Sequence, residues 1–153
     1  MEDIWYVILI SMLPWIELRG GIPYGILKAE LNPVFVFLVS VAANVAVIYP
    51  SFVFLDWFFE LMEKTPLKRF IGKTRTKAKP YVDKYGMWGL ALFVGVPLPG
   101  TGAYSGALAA HILGVKNKKA AAAIAAGVIL AGVLVTLISV FFSESLGFLL
   151  KMV

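Results

Sequence analysis

Glu17 and Arg19 are the residues of this sequence best suited to chemistry, because they lie inside an otherwise apolar run from Ile4 to Leu27. An ionisable side chain at membrane depth costs about 2.5 to 3.5 kcal/mol on insertion scales, so it points to a function or to a dedicated partner. Arg19 has the geometry to grip an anionic group such as a phosphate, and Glu17 is a candidate proton-coupling carboxylate. The alternative is a structural pair that ties this segment to a neighbour. The two residues pair directly only if the backbone turns between them.

Helix breakers surround this pair and recur far downstream. Proline removes an amide donor and glycine has little helical preference, so the chain is predicted to break near Pro14 to Pro23 and again between Phe93 and Gly106. Two interrupted apolar segments in the two halves of a chain point to a transport site. The candidate substrate-binding or coupling residues are Glu17, Arg19, Gly20, Gly21, Pro23, Asn44, Pro99, Gly100, Thr101, Gly102 and Tyr104.

The uncharged candidates have two possible roles each. The Gly20-Gly21 and Gly100-Thr101-Gly102 turns would expose backbone amides at the N-termini of returning half-helices, a place that favours anions, and Pro23 suits the first turn of such a half-helix. Otherwise the glycines merely allow close packing. Thr101, Tyr104 and Asn44 would bind substrate or satisfy the backbone groups that a helix break leaves free.

The composition is that of an integral membrane protein. The 153 residues are 60% hydrophobic, with a mean hydropathy of +0.86. The sequence has no cysteine, which excludes disulfides and thiolate metal sites. It offers no plausible set of nucleophile, base and metal ligands, so we expect no enzymatic activity, no cofactor and no bound metal.

The basic residues cluster in one loop. Eight of the 14 Lys and Arg residues fall there, which indicates a cytoplasmic loop held by anionic headgroups and argues against nucleic acid as a partner. These residues are Lys64, Lys68, Arg69, Lys73, Arg75, Lys77, Lys79 and Lys84.

The order of breakers and apolar runs predicts an all-α integral membrane fold of two inverted repeats, each a re-entrant helical hairpin followed by a transmembrane helix. The positive-inside rule favours re-entrant hairpins over four full spans. The predicted single domain, 1–153, divides into hairpin 1 (1–31), transmembrane helix 1 (33–60, kinked at Pro50), a basic cytoplasmic loop (64–84), hairpin 2 (85–114) and transmembrane helix 2 (120–142). In the last apolar run Ala123, Gly127 and Ala131 recur every four residues, which predicts close helix packing, either within one chain or across a dimer. Two spans are few to shield two polar hairpins from lipid, so a homodimer is expected.

The stretches Glu17-Leu18-Arg19-Gly20-Gly21-Ile22-Pro23 and Pro99 to Gly106 resemble the small multidrug export protein family of prokaryotes. That family is similar in pattern to the DedA/VTT superfamily, whose members have two re-entrant hairpins and are implicated in flipping phospholipids and polyprenyl phosphates. The resemblance implies transport, with Glu17 and Arg19 as the matched residues. DedA proteins typically carry an arginine in the second hairpin too, whereas this sequence has no charge from Val94 to Gly106.

These observations predict a transporter or flippase for an anionic amphiphile such as a lipid phosphate, with Arg19 gripping the anion and Glu17 taking protons or another coupling ion. The alternatives are a proton-coupled small multidrug exporter of cationic drugs, with Glu17 as the acceptor, and a non-transporting structural membrane protein. The expected partners are membrane lipids, a small amphiphilic substrate and a second copy of the chain. The expected location is the plasma membrane of a prokaryote.

Overall fold

The computed structural model describes residues 2–61, 84–98, 100–115 and 118–151, and all regular secondary structure in these ranges is helical. The predicted all-α class is therefore confirmed. The helices are α1 (Glu2–Met12), α2 (Glu17–Pro23), α3 (Pro33–Ala46), α4 (Ile48–Leu61), α5 (residues 84–95), α6 (Ala103–Leu113) and α7 (Lys118–Lys151). A π-helical turn, Tyr24–Lys28, continues α2.

Two helical stretches are long and apolar enough to cross a bilayer, which needs about 20 residues. One is α3 with α4, Pro33–Leu61, and the other is Lys118–Ser145 within α7. Both fall close to the predicted transmembrane helices. The first begins where the Asn32 side chain accepts hydrogen bonds from two amides of the first turn of α3, at 3.0 and 3.2 Å. It is interrupted at Val47, three residues before Pro50, where the proline ring disturbs the preceding turn.

The first predicted break is present, but its turn is not made by the two glycines. Helix α1 ends at Met12 and α2 begins at Glu17, so Gly20 and Gly21 lie inside α2. The chain reverses instead through left-handed conformations at Trp15 (φ 78°) and Glu17 (φ 54°). The prediction that Gly20 and Gly21 form the turn was wrong. Pro14 already disrupts the helix upstream, and the small residues at 20 and 21 let α2 pack closely against α1.

The second predicted break is also present. Helix α5 ends at residue 95 and α6 begins at Ala103, with Gly100 in the left-handed region at a φ of 82°. Gly106 of α6 lies against Val94 of α5, so the two arms of this segment are in contact. Pro99 and all of the basic loop 64–84 except Lys84 lie outside the described residues. The re-entrant placement of the hairpins, their inverted repeat and the sidedness of the loop stay predictions.

Helix α7 packs through a stripe of small residues. Ala123 and Ala131 are buried, and Gly127 lies against Ala91 and Val94 of α5. Gly132, beside the stripe, packs on the aromatic and branched side chains of α3. The close helix packing predicted from this spacing is confirmed, and it is used within one chain. The predicted homodimer therefore gains no support from the stripe and stays a prediction.

Candidate functional site

Glu17 and Arg19 form a buried ion pair. Nη1 of Arg19 donates to Oε2 of Glu17 at 3.0 Å, and the two side chains are 14% and 3% exposed. In a regular helix two side chains at this spacing point apart. The left-handed backbone at Glu17 is the departure that lets them meet.

The Glu17 carboxylate also caps the N-terminus of α6. It accepts hydrogen bonds from the backbone amides of Ala103 and Tyr104, both at 3.2 Å. A helix N-terminus carries unsatisfied amides and a partial positive charge, so it stabilises an anion. Gly102 is needed beside it, because a Cβ at that position would overlap the carboxylate. The anion-favouring turn expected from the sequence therefore exists, and the protein's own carboxylate occupies it.

Arg19 makes the reciprocal contacts at the end of α5. Its Nη2 donates to the carbonyl oxygen of Val94 at 3.0 Å and to Oγ1 of Thr101 at 3.2 Å. The Thr101 hydroxyl in turn donates to the carbonyl of Val96 at 2.7 Å. Carbonyls at a helix C-terminus have no intrahelical donor, and a cation there is favourable. We call Glu17, Arg19 and their partners on residues 94–104 the interlock, since they join the two breaks.

Tyr104 and Asn44 satisfy carbonyls that the first break leaves free. The Tyr104 hydroxyl donates to the carbonyl of Met12 at 2.5 Å, and Nδ2 of Asn44 donates to the carbonyl of Ser11 at 2.8 Å. These side chains and Thr101 therefore fill the structural role considered from the sequence. Thr101 and Tyr104 also line the cavity described below, so substrate binding by these two residues stays a prediction. Asn44 belongs to α3, is fully buried where α3 contacts α1, and does not line the cavity described below.

Gly20, Gly21 and Pro23 do not reach the cavity either. Gly21 lies against the side chain of Ser11, and Gly20 against isoleucines 10 and 16, so both serve close packing. Pro23 stands at the end of α2, where the helix widens into the π turn, instead of opening a half-helix. A π turn accommodates a proline that cannot donate a helical hydrogen bond.

A cavity of about 890 Å³ adjoins the interlock. Its walls come from the turn between α1 and α2, from the α3–α4 junction and from α6, and they are mostly apolar. Sequence reasoning missed the apolar lining, which includes Met12, Trp15, Val47, Pro50, Phe54, Leu55 and Leu108. The helical spacing of Val47, Pro50 and Phe54 was the available signal, because residues three and four apart share a helix face.

The fold and the site define a helical membrane protein in which two broken segments are joined by a buried ion pair beside an apolar cavity. The family model described as "Putative small multi-drug export protein" matches residues 17–134, and the chain belongs to this family. The matched range begins at Glu17 and contains both breaks and the interlock. No curated protein and no solved structure matches the chain.

Proposed function

We propose that this protein is a membrane transporter that exports small amphiphilic compounds through the cavity beside the interlock. The observation that carries the proposal is the cavity itself, about 890 Å³ and mostly apolar, with Glu17 and Arg19 in its wall. Drug-sized ligands bind in pockets of about 300 to 1,000 Å³ with a few placed polar groups. Membership of a family described by small multidrug export supports the same function.

In this proposal the interlock is the gate between the two broken segments. Separating them requires that Glu17 leave the amides of α6 and that Arg19 leave the carbonyl of Val94. Protonation of Glu17 would remove its charge and weaken its bond to Arg19, so proton binding would favour opening. The protein would lie in the plasma membrane of a prokaryote, with the loop 64–84 in the cytoplasm.

A second candidate is a flippase for an anionic amphiphile such as a lipid phosphate. The observation that favours it is that Glu17 sits in a ready anion site formed by Arg19 and the amides of Ala103 and Tyr104. A phosphate oxygen has the chemistry to replace the carboxylate there. This candidate ranks second because the family description names drug export and because Arg19 already makes hydrogen bonds to its own chain.

The deciding experiment is transport by protein in proteoliposomes. The substrates are an uncharged lipophilic dye, a cationic dye of similar size and a fluorescent polyprenyl phosphate. The proteins are wild type, Glu17→Gln, Arg19→Gln and the matched control Lys28→Gln, which changes an exposed basic residue of the same segment. Export predicts proton-driven dye movement by wild type and Lys28→Gln, with loss in folded Glu17→Gln because glutamine cannot bind and release the proton.

Movement of the polyprenyl phosphate alone, lost in folded Arg19→Gln, would instead support the flippase. If folded wild type moves none of the three substrates, the transport proposal is wrong and a structural role for the interlock is the better account.

A further inference from the structure

We propose that the cavity selects uncharged lipophilic molecules and disfavours permanent cations and anions. This inference rests on the proposed export function, because it names the class of substrate for the same site. It departs from both charge preferences expected from the sequence, in which either Arg19 would attract an anion or Glu17 a cation. The reason is the state of the polar groups in the cavity wall.

The charges in the wall cancel. Among the described residues that line the cavity, Glu17 and Arg19 are the charged ones, and they are paired at 3.0 Å. The carboxylate is further held by two amides of α6, and the guanidinium by the Val94 carbonyl. An ion that enters the cavity therefore gains no counter-charge unless it first breaks the interlock. Moving an ion out of water without a partner is strongly unfavourable.

The uncharged polar side chains of the wall are also committed to the protein. Each side-chain hydroxyl of the wall donates its proton to a backbone carbonyl, so none of these donors is left for an anionic ligand. The bonds run from Ser51 to the Val47 carbonyl (2.6 Å), from Thr101 to the Val96 carbonyl (2.7 Å), from Tyr104 to the Met12 carbonyl (2.5 Å) and from Ser105 to the Gly102 carbonyl (3.2 Å). Nε of Arg19 has no acceptor, but that atom is itself buried away from the cavity surface.

What the cavity does offer is apolar and aromatic surface. Trp15 is 84% exposed and Phe54 is 58% exposed, and both belong to the cavity lining together with Leu108. Burial of apolar ligand surface against these walls is favourable in proportion to the area buried. An uncharged molecule of drug size is therefore the occupant that these walls favour. A free lipophile and an uncharged membrane lipid share this chemistry.

The test uses Trp15 as a fluorescent reporter in the cavity wall. The substitutions Trp5→Phe, Trp57→Phe and Trp88→Phe leave Trp15 as the one tryptophan, and none of the replaced residues lines the cavity. The protein in nanodiscs is titrated with three versions of one polycyclic dye: uncharged, quaternary ammonium and sulfonate. We expect saturable energy transfer from Trp15 to the uncharged dye, with the two ions binding at least about tenfold more weakly.

A matched pair of variants separates cavity binding from partition into lipid. Ala46 lines the cavity, whereas Ala42 lies one helical turn earlier on α3, is also exposed and does not line it. Ala46→Phe is expected to weaken binding of the uncharged dye at least about tenfold by filling the cavity, while Ala42→Phe leaves it unchanged. Circular dichroism and gel filtration verify that both variants fold.

The proposal is overturned if either ion binds as tightly as the uncharged dye, or if Ala46→Phe and Ala42→Phe behave alike. Competition with a monoacylglycerol identifies the source of the natural occupant. Displacement of the uncharged dye indicates a membrane lipid, and lack of displacement indicates a free lipophile. Either result supports an uncharged ligand. The outcome is separable from that of the export proposal. If the uncharged dye binds more tightly than both ions but no dye is transported in proteoliposomes, the export proposal alone is refuted. If transport prefers the cationic dye, the inference alone is refuted.

Discussion

Replacing Arg19 with glutamine is the perturbation that tests the interlock most directly. The substitution leaves the Glu17 carboxylate buried with its two amide donors but without a counter-ion, and it leaves the Val94 carbonyl without its donor. Removing one partner of a buried ion pair costs about 3 to 5 kcal/mol. At about 2 to 4 °C per kcal/mol for a chain of this size, Arg19→Gln should lower Tm by roughly 6 to 20 °C.

The assay is thermal unfolding in detergent micelles, followed by circular dichroism. Lys28→Gln is the control, because Lys28 is exposed and the expected change is within about 0.5 kcal/mol. The double variant Glu17→Gln/Arg19→Gln removes both charges, so it should be more stable than Arg19→Gln alone. The reasoning fails if Arg19→Gln unfolds at the same temperature as Lys28→Gln. It also fails if the decrease in Tm of the double variant equals the sum of the decreases in the two single variants.

Two further predictions concern the same region. Gly102→Ala should destabilise the protein by about 1 to 3 kcal/mol in the same unfolding assay, because the new methyl group overlaps the Glu17 carboxylate and not because of the extended backbone at this residue. That loss should shrink in a Glu17→Ala background, and an equal loss in both backgrounds would contradict the contact. Asn44→Ala should lower the free energy of unfolding, measured by chemical denaturation, by about 1 to 3 kcal/mol, because it leaves the buried Ser11 carbonyl without a donor. A decrease of only about 0.3 kcal/mol would show that another group replaces the Asn44 amide as donor.

The fold was largely readable from the sequence because hydrophobic runs and helix breakers act locally. The apolar run behind Asn32-Pro33 predicted the first long helix, and the structure begins it at Pro33 with Asn32 as its cap. The stripe Ala123, Gly127 and Ala131 predicted a packing surface, although not that the surface is used within the chain. The approximate positions of both helix breaks followed from proline and glycine content.

The candidate site was readable only in part. Glu17 and Arg19 stood out because charge at membrane depth is costly, and both lie in the cavity wall. The turn predicted at Gly20 and Gly21 was wrong, because glycine is equally typical of turns and of close helix packing. Here both glycines serve packing. Trp15 was not among the predicted site residues, because its left-handed backbone and its place in the cavity wall cannot be inferred from its residue type.

The sequence by itself determined the helical class, the two stretches able to span a bilayer and the approximate places where the helices break. It also determined that an acidic and a basic residue, Glu17 and Arg19, lie where charge is costly. Those properties depend on residues within a few positions of one another. The tertiary structure decided what the acid and the base touch. Glu17 meets the start of α6, 86 and 87 residues away, and Arg19 meets the end of α5, 75 residues away. No local pattern encodes such distances, because they arise from how the two broken segments pack against each other.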